Sequence, residues 1–250
     1  HTRFRNVTGV QTCALPIWGV GALPTNITAF DFKFNSFENG CDINFDNSAF
    51  LAMIGTPAFT YNSFSNSTWG AAHPYIVSNA LTDWTITGNT FTSSGILLDG
   101  GIGLNTIARN DLYAGYLYFE TVSALDVSDN SISGQSNLSV VESTVAYQNN
   151  VHDSTDVTIA NVASMSMLRN YISGRYENNP SLSFNSLPVC VFESNRCVNS
   201  WIDISGVMPN FYGNVFEYCH FDDVTPCSFT NERSEEHTSE LQSRFGISYA

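Results

Sequence analysis

The chain has 250 residues, with 23 acidic residues against nine lysines and arginines and a formal net charge of −14. Such an acidic surface, on which Lys33 is the single lysine, predicts that the protein binds neither nucleic acid nor an anionic membrane. No run of 18 apolar residues occurs, so the sequence also predicts no membrane-spanning helix.

The two ends of the chain read as non-native sequence. VTGVQTCALPI near the start and RSEEHTSELQSR near the end resemble translated sequencing-library adapter. QTCALPI, written as CAG ACG TGT GCT CTT CCG ATC, has a reverse complement that contains TCG GAA GAG CAC ACG TCT, which encodes SEEHTS. We therefore predict that residues 1–17 and 232–250 are adapter-like and that residues 18–231 form one domain, an internal fragment of a longer protein. The alternative is a genuine basic arm and acidic tail.

Within residues 18–231, asparagine recurs with an apolar residue or cysteine three positions before it and another two positions after it. Successive copies are separated by 19 to 27 residues. A period near 20 that tolerates insertions is typical of a solenoid, in which each repeat buries its apolar face by stacking on its neighbours. The repeated residues are Asn35, Asn62, Asn89, Asn110, Asn130, Asn149, Asn170, Asn195 and Asn214.

Each repeat reads as two short strands joined by a bend at the asparagine, because its apolar runs are short, rich in β-branched and aromatic residues, and broken by Gly, Asn and Ser. Asparagine tolerates the left-handed backbone of a bend, and stacked amides form hydrogen-bonded ladders. The flanking positions are predicted to face the interior: Phe32, Phe59, Ile86, Ile107, Val127, Ala146, Met167, Phe192 and Phe211 before the bend, and Phe37, Phe64, Phe91, Leu112, Ile132, Val151, Ile172, Cys197 and Phe216 after it.

The segments FTYNSF, ITGNTF, IARNDL, VSDNSI, MLRNYI and FYGNVF resemble the coils of right-handed parallel β-helix proteins of the pectate-lyase-like superfamily. The resemblance covers about residues 30 to 224. It implies an all-β, right-handed parallel β-helix solenoid of about nine coils with an Asn ladder. It says little about function, because this fold hosts lyases, hydrolases, esterases, phage tailspikes and adhesins. The polygalacturonase set of NTD, DD, GHG and RIK motifs is incomplete in this chain.

Three carboxylates follow strand-like apolar runs at repeat spacing. Asp99, Glu120 and Glu142 are 21 and 22 residues apart, so stacked coils would bring them to one edge of a sheet. Several carboxylates suit Ca²⁺, and the resemblance implies calcium that neutralises a uronate substrate. Two of them could instead serve as the acid and the base or nucleophile of glycoside hydrolysis. The plainer interpretation is separately solvated strand ends, or gatekeeper residues that oppose aggregation.

A second set of charges stands directly before the bend. Arg109 and Asp129 occupy this position in consecutive coils, and Arg169 follows two coils later, after Gln148. By resemblance to the lyases, Arg109 or Arg169 would be a base or a clamp for a substrate carboxylate. The plainer interpretation is an exposed ion pair between Arg109 and Asp129, with Arg169 a solvated neighbour.

Aromatic and cysteine side chains leave further alternatives open. Aromatic rings stack on sugar faces but also fill the cores of β-helices. Cysteines near the C-terminal coils could form disulfides or remain buried thiols. The aromatic candidates are Trp69, Tyr75, Tyr113, Tyr116, Tyr118 and Trp201, and the cysteines outside the adapter-like ends are Cys41, Cys190, Cys197, Cys219 and Cys227.

The sequence therefore supports two functions. The first is an extracellular carbohydrate-binding or carbohydrate-active β-helix, similar to a polysaccharide lyase or hydrolase, with a polysaccharide or cell-surface glycan as its partner. The second is a non-catalytic surface, adhesin or structural repeat module. The abundance of Ser, Thr and Asn and the glycosylation sequons at Asn26, Asn66 and Asn137 favour secretion or display at the cell surface.

Overall fold

The structure, a computed structural model, describes residues 7–11, 31–38, 43–45, 58–65, 73–78, 83–99, 103–134, 136–141, 143–174, 182–185, 190–205, 210–222, 228–230 and 233–234. These residues form 29 short strands that pair in parallel, and none of them is helical. The all-β parallel solenoid is therefore confirmed. Its right-handedness stays a prediction.

A complete turn consists of three strands, of which two flank the bend and the third belongs to a separate sheet. The strands that enter the bend are β4 (Ala58–Thr60), β7 (Thr85–Thr87), β10 (Leu104–Ala108), β13 (Ala124–Ser128), β16 (Thr144–Gln148), β19 (Ser164–Leu168), β22 (Cys190–Glu193), β25 (Asn210–Tyr212) and β28 (Ser228–Thr230). The strands that leave it are β5 (Ser63–Ser65), β8 (Thr90–Thr92), β11 (Asp111–Tyr113), β14 (Ser131–Ser133), β17 (Val151–Asp153), β20 (Tyr171–Ser173), β23 (Arg196–Val198), β26 (Val215–Glu217) and β29 (Arg233–Ser234).

In the N-terminal turn, β2 (Asp31–Glu38) runs through the bend without interruption, and β1 (Val7–Gln11) pairs beside it. The third strand of each turn pairs only with its counterparts in neighbouring turns, which gives a separate nine-stranded parallel sheet. We call its outer surface face B. Its strands are β3 (Ile43–Phe45), β6 (His73–Ser78), β9 (Ser94–Asp99), β12 (Tyr116–Glu120), β15 (Asn137–Val141), β18 (Asp156–Ala160), β21 (Leu182–Asn185), β24 (Trp201–Ser205) and β27 (His220–Asp222).

The structure supports about six turns rather than the nine predicted. The prediction counted asparagines, and each asparagine marks only a bend. Six turns are described through all three strands with no more than one residue left out, and they lie in residues 85–99, 104–120, 124–141, 144–160, 190–205 and 210–222.

An asparagine ladder runs along the bends of the described turns. The backbone N–H and the side-chain Nδ2 of Asn110 both donate to Oδ1 of Asn130, at 2.9 and 3.0 Å, and Nδ2 also donates to the carbonyl of Ile86. The same pattern repeats from turn to turn and buries every amide. The ladder comprises Asn35, Asn62, Asn89, Asn110, Asn130, Asn150, Asn170, Asn195 and Asn214.

Two details of the predicted bend are wrong. The ladder residue of the β16–β17 turn is Asn150, whereas Asn149 is exposed. The left-handed residue is the one before the ladder asparagine, as at Arg109 (φ 56°) and Asn149 (φ 55°). The two positions have different requirements. The ladder asparagine is buried and bonds the turns on both sides, so it needs a regular backbone, whereas the exposed residue before it can take the strained left-handed conformation.

The interior is filled by side chains from both sides of the bend and from the nine-stranded sheet. The flanking positions predicted to face inward do so in most turns, and phenylalanines stack across turns, as Phe64 does on Phe91 with ring centroids 4.7 Å apart. The exception is the β16–β17 turn, because its ladder residue is Asn150 rather than Asn149. Ala146 and Val151 are exposed, and the residues after them, Tyr147 and His152, are buried in their place.

Tyr147 and His152 form a polar pair inside this apolar core. The Tyr147 hydroxyl bonds Nε2 of His152, and Nδ1 of His152 has no partner among the described residues. Burial lowers the pKa of His152 from 6.5 to about 3, because an apolar interior disfavours the charged imidazolium. The pair therefore remains neutral at physiological pH.

Candidate functional site

The site is built on β9 and β12, adjacent strands of the nine-stranded sheet. Glu120 pairs in register with Asp99, and Tyr116 pairs with Gly95. On β12 burial alternates, so that Leu117 and Phe119 enter the core while Tyr116, Tyr118 and Glu120 point outward onto face B. The register places the two carboxylates on neighbouring strands, and the backbones of paired strands are about 4.8 Å apart.

Both ends of β12 are fixed by serine hydroxyls of the following turn. The N–H of Gly115 donates to Oγ of Ser136 at 2.9 Å, and the N–H of Val122 donates to Oγ of Ser143 at 3.1 Å. On the side of β12 that faces β9, a Cβ at Gly95 would lie 1.8 Å from the carbonyl oxygen of Tyr116. Only glycine permits this close approach, so Gly95 sets the position of β12 against β9.

A row of three side chains follows β12 on face B. The rings of Tyr116 and Tyr118 lie nearly parallel, with centroids 5.9 Å apart and an interplanar angle of 10°. The Tyr118 hydroxyl donates to Oε2 of Glu120 at 2.6 Å. In the neighbouring strand Asp99 is bonded differently, because its Oδ1 accepts from the hydroxyl of Thr121 at 2.6 Å. The carboxylates thus stand side by side, each oriented by its own hydroxyl donor.

These contacts keep both phenols protonated. The hydrogen bond to Glu120 raises the pKa of Tyr118 to about 12, with a smaller contribution from burial. Burial, and then the charge of Glu120, raises the pKa of Tyr116. Neither tyrosine is therefore a base or a nucleophile near pH 7, and both remain hydrogen-bond donors with an apolar ring. This chemistry suits binding.

The third predicted carboxylate, Glu142, lies outside the described residues. The residue in register with Glu120 on β15 is Val141, so Glu142 follows one position after the column that Asp99 and Glu120 share. In the described part of the chain, no group of three or more His, Cys, Asp or Glu side chains is placed to hold a metal ion. The calcium site on these three residues stays a prediction.

The predicted arginines lie away from face B, in the strained column before the ladder. Arg109 is exposed between β10 and β11, and Arg169 is exposed between β19 and β20, where its Nε donates to Oδ1 of Asn149 at 3.0 Å. The ion pair expected between Arg109 and Asp129 does not form in the described structure, where an arginine–carboxylate pair instead joins Arg196 to Glu217 at 2.8 Å. Arg109, Asp129 and Arg169 each have a left-handed backbone and an exposed side chain.

Further aromatic candidates are at the surface rather than in the core. Tyr113 is 60% exposed on β11, and Trp201 is 43% exposed on β24, where its ring and that of His220 form a T-shaped pair with centroids 4.6 Å apart. Trp69 and the side chain of Tyr75 lie outside the described residues. Three cysteines, Cys190, Cys197 and Cys219, are free thiols, which favours the thiol alternative for them. Cys41 and Cys227 lie outside the described residues.

Sequence reasoning missed two contributions to the site. Thr121 holds Asp99 from the next turn, and Asp156 adds another described carboxylate to face B. Asp156 lies two strands from Tyr116, with Asn137 between them in register. Partial burial raises the pKa of Asp156. The alternating residues VTI after Asp156 could have indicated a strand whose first side chain, that of Asp156, faces outward. Nothing in the sequence indicates that Thr121 bonds a residue of another turn.

The chain matches no known protein family, no curated protein and no solved structure. Within the described residues, no helix is long and apolar enough to cross a membrane. Face B is thus interpreted from its own geometry.

Proposed function

We propose that this protein binds carbohydrate chains on face B and works outside the cell or at its surface. The observation that carries the proposal is the parallel ring pair of Tyr116 and Tyr118, bordered by the oriented carboxylates of Asp99 and Glu120. Sugars present apolar C–H faces and rims of hydroxyl groups. Rings that supply apolar area next to fixed acceptors complement both features.

The surroundings of Tyr116 support the same function. Its register neighbour on one side is Gly95, which has no side chain, and on the other side Asn137, which is exposed. A ligand can therefore reach this ring beside an amide that both donates and accepts hydrogen bonds. Asn137 also belongs to one of the glycosylation sequons, and its exposure supports the extracellular location. The sequons at Asn26 and Asn66 lie outside the described residues.

The experiment measures retardation of the protein in native gels that contain soluble polysaccharides, with bacterially produced protein so that Asn137 carries no glycan. Tyr116→Ala should weaken binding by about tenfold or more, because it removes the stacking surface. Tyr212→Ala, which removes an exposed tyrosine on β25, should leave binding unchanged. Wild-type protein that no polysaccharide retards would support the alternative, a non-catalytic surface, adhesin or structural repeat module.

A catalytic form of this proposal is favoured by the register of Asp99 with Glu120. Retaining glycosidases hold two carboxyl groups about 5–5.5 Å apart, close to the separation of about 4.8 Å between paired strands. Glu120→Gln would then abolish release of reducing ends from a polysaccharide that the protein binds. If wild-type protein releases none, binding is the complete function.

A further inference from the structure

The charge of face B has one sign. None of the nine strands that form the sheet contains a lysine or an arginine, and the described arginines lie on the bend side of the solenoid. Four strands each contribute a described carboxylate, at Asp99, Glu120, Asp156 and Asp203. The ring pair of β12 is therefore set in a surface of uniformly negative charge.

Among the described residues, no basic side chain neutralises the carboxylates next to the rings. In the described structure, Asp99 and Glu120 accept hydrogen bonds from a threonine and a tyrosine hydroxyl, and no ion pair reaches either of them. A hydroxyl donor orients a carboxylate but leaves its charge in place, and each carboxylate has further lone pairs free to accept. The face can thus neutralise a cationic ligand.

From this charge complementarity, and resting on the function proposed above, we propose that the ligand of face B is a cationic glycan, a chain of amino sugars with free, protonated amines. The sugar rings stack on Tyr116 and Tyr118, and the ammonium groups bind between Asp99 and Glu120. Asp156 lies two strands further along the solenoid, about 10 Å from Tyr116, where it meets an amine of a following sugar. Charge-assisted hydrogen bonds of this kind are stronger than neutral ones.

A uronate chain fits this face poorly. Its carboxylates would approach Asp99 and Glu120 with no basic side chain on the nine strands to pair with, and like charges at this distance repel. A neutral glycan can stack on the rings but gains nothing from the charges. We therefore expect face B to bind amino sugars most tightly, neutral sugars less tightly and uronates most weakly.

The test is calorimetric titration of the whole protein with three oligosaccharides of equal length: glucosamine oligomers, their fully N-acetylated counterparts, and galacturonate oligomers. The first two share one backbone and differ in charge, and the pH is kept where the amines are protonated. We expect glucosamine oligomers to bind at least tenfold more tightly than acetylated ones. We also expect this preference to shrink with added salt, because exposed charge pairs are screened.

Paired variants locate the effect on face B. The double variant Asp99→Asn, Glu120→Gln keeps the shape of the site and should reduce the preference for the amine at least fivefold. Asp111→Asn with Asp153→Asn removes two exposed carboxylates from the bend side and should leave the preference unchanged. Circular dichroism checks that each variant folds.

The outcomes separate this inference from the proposed function. If acetylated oligomers bind as tightly as glucosamine oligomers, or galacturonate binds best, the cationic ligand is wrong while carbohydrate binding stands. If the bend-side variant loses the preference and the face B variant keeps it, the assignment to face B is wrong. If none of the three oligosaccharides binds, the inference fails, and failure in the polysaccharide gels as well removes the proposed function.

Discussion

Removal of a single ladder amide should destabilise the solenoid far more than removal of the asparagine beside it. Asn150 and Asn149 are adjacent and chemically identical, yet only Asn150 belongs to the ladder. Asn150→Ala deletes the acceptor for the N–H and Nδ2 of Asn130 and the donor to the carbonyl of Val127. Nδ2 of Asn150 also donates to Oδ1 of Asn170, so four buried polar groups lose a partner. Two of them, Nδ2 of Asn130 and Oδ1 of Asn170, each keep another hydrogen bond.

The expected loss follows from the cost of leaving such groups unsatisfied. At roughly 1–2 kcal/mol for each group that loses its partner, and less for the two that keep another bond, Asn150→Ala should lower the free energy of unfolding by about 3–6 kcal/mol. Asn149→Ala removes one exposed bond from Arg169 and places alanine at φ 55°, which together cost about 1 kcal/mol.

Urea unfolding followed by far-UV circular dichroism measures both values, and an unchanged m-value shows that the midpoints are comparable. If Asn149→Ala is as destabilising as Asn150→Ala, then the ladder does not pass through Asn150 and our account of the bend is wrong.

Three further predictions concern the core, the bend and the thiols. Because the pKa of His152 is about 3 when folded and 6.5 when unfolded, the unfolded state takes up the proton first, and stability should fall as pH drops below 6.5, by about 2 kcal/mol at pH 5. In urea titrations, the double variant His152→Ile, Tyr147→Phe should lose about 2 kcal/mol less stability than the wild type between pH 7 and pH 5. An unchanged pH dependence would contradict the buried pair. Gly88→Ala should cost about 2 kcal/mol or more, because it combines φ 68° with a Cβ 2.7 Å from the Tyr61 ring; Gly213→Ala has nearly the same φ and no contact below 3.9 Å, so an equal melting temperature for the two variants would exclude the clash. Burial raises the pKa of Cys190 to about 12, so alkylation at pH 8, mapped by peptide mass spectrometry, should label this residue only in denaturant, and rapid labelling of native protein would contradict its burial.

The architecture could be predicted from the sequence because a solenoid repeats its local chemistry. An apolar residue on each side of a buried amide is needed in every turn, and this periodicity is visible without structure. The prediction failed at QNNVH, where two asparagines are adjacent and both registers offer plausible flanks. Ala146 and Val151 are the more apolar pair, but the structure buries Tyr147 and His152, whose polar atoms satisfy each other.

The site was predictable in part for the same reason. Asp99 and Glu120 are 21 residues apart and each follows a strand-like apolar run, and this repeat spacing gave the correct register. Glu142 has a different offset, and Val141 takes the third place in the column. Hydroxyl contacts such as Tyr118 to Glu120 and Thr121 to Asp99 depend on side-chain rotamers, which repeat spacing does not encode. The uniform sign of face B appears only when the nine strands are aligned.

The asparagine ladder also has a direction. In the bonds between ladder asparagines, each Nδ2 donates to the following turn and each Oδ1 accepts from the preceding one. The side-chain carbonyl oxygens therefore point toward the N-terminal turns, where Oδ1 of Asn35 is buried without a partner in the described part of the chain. Aligned hydrogen bonds polarise one another, and the summed amide dipoles give the solenoid a negative end at Asn35 and a positive end toward Asn214. The turns are therefore not interchangeable along the axis. The ladder amide of each turn has an acceptor in the following turn and a donor in the preceding one, so a turn inserted in the reverse direction would not match its neighbours.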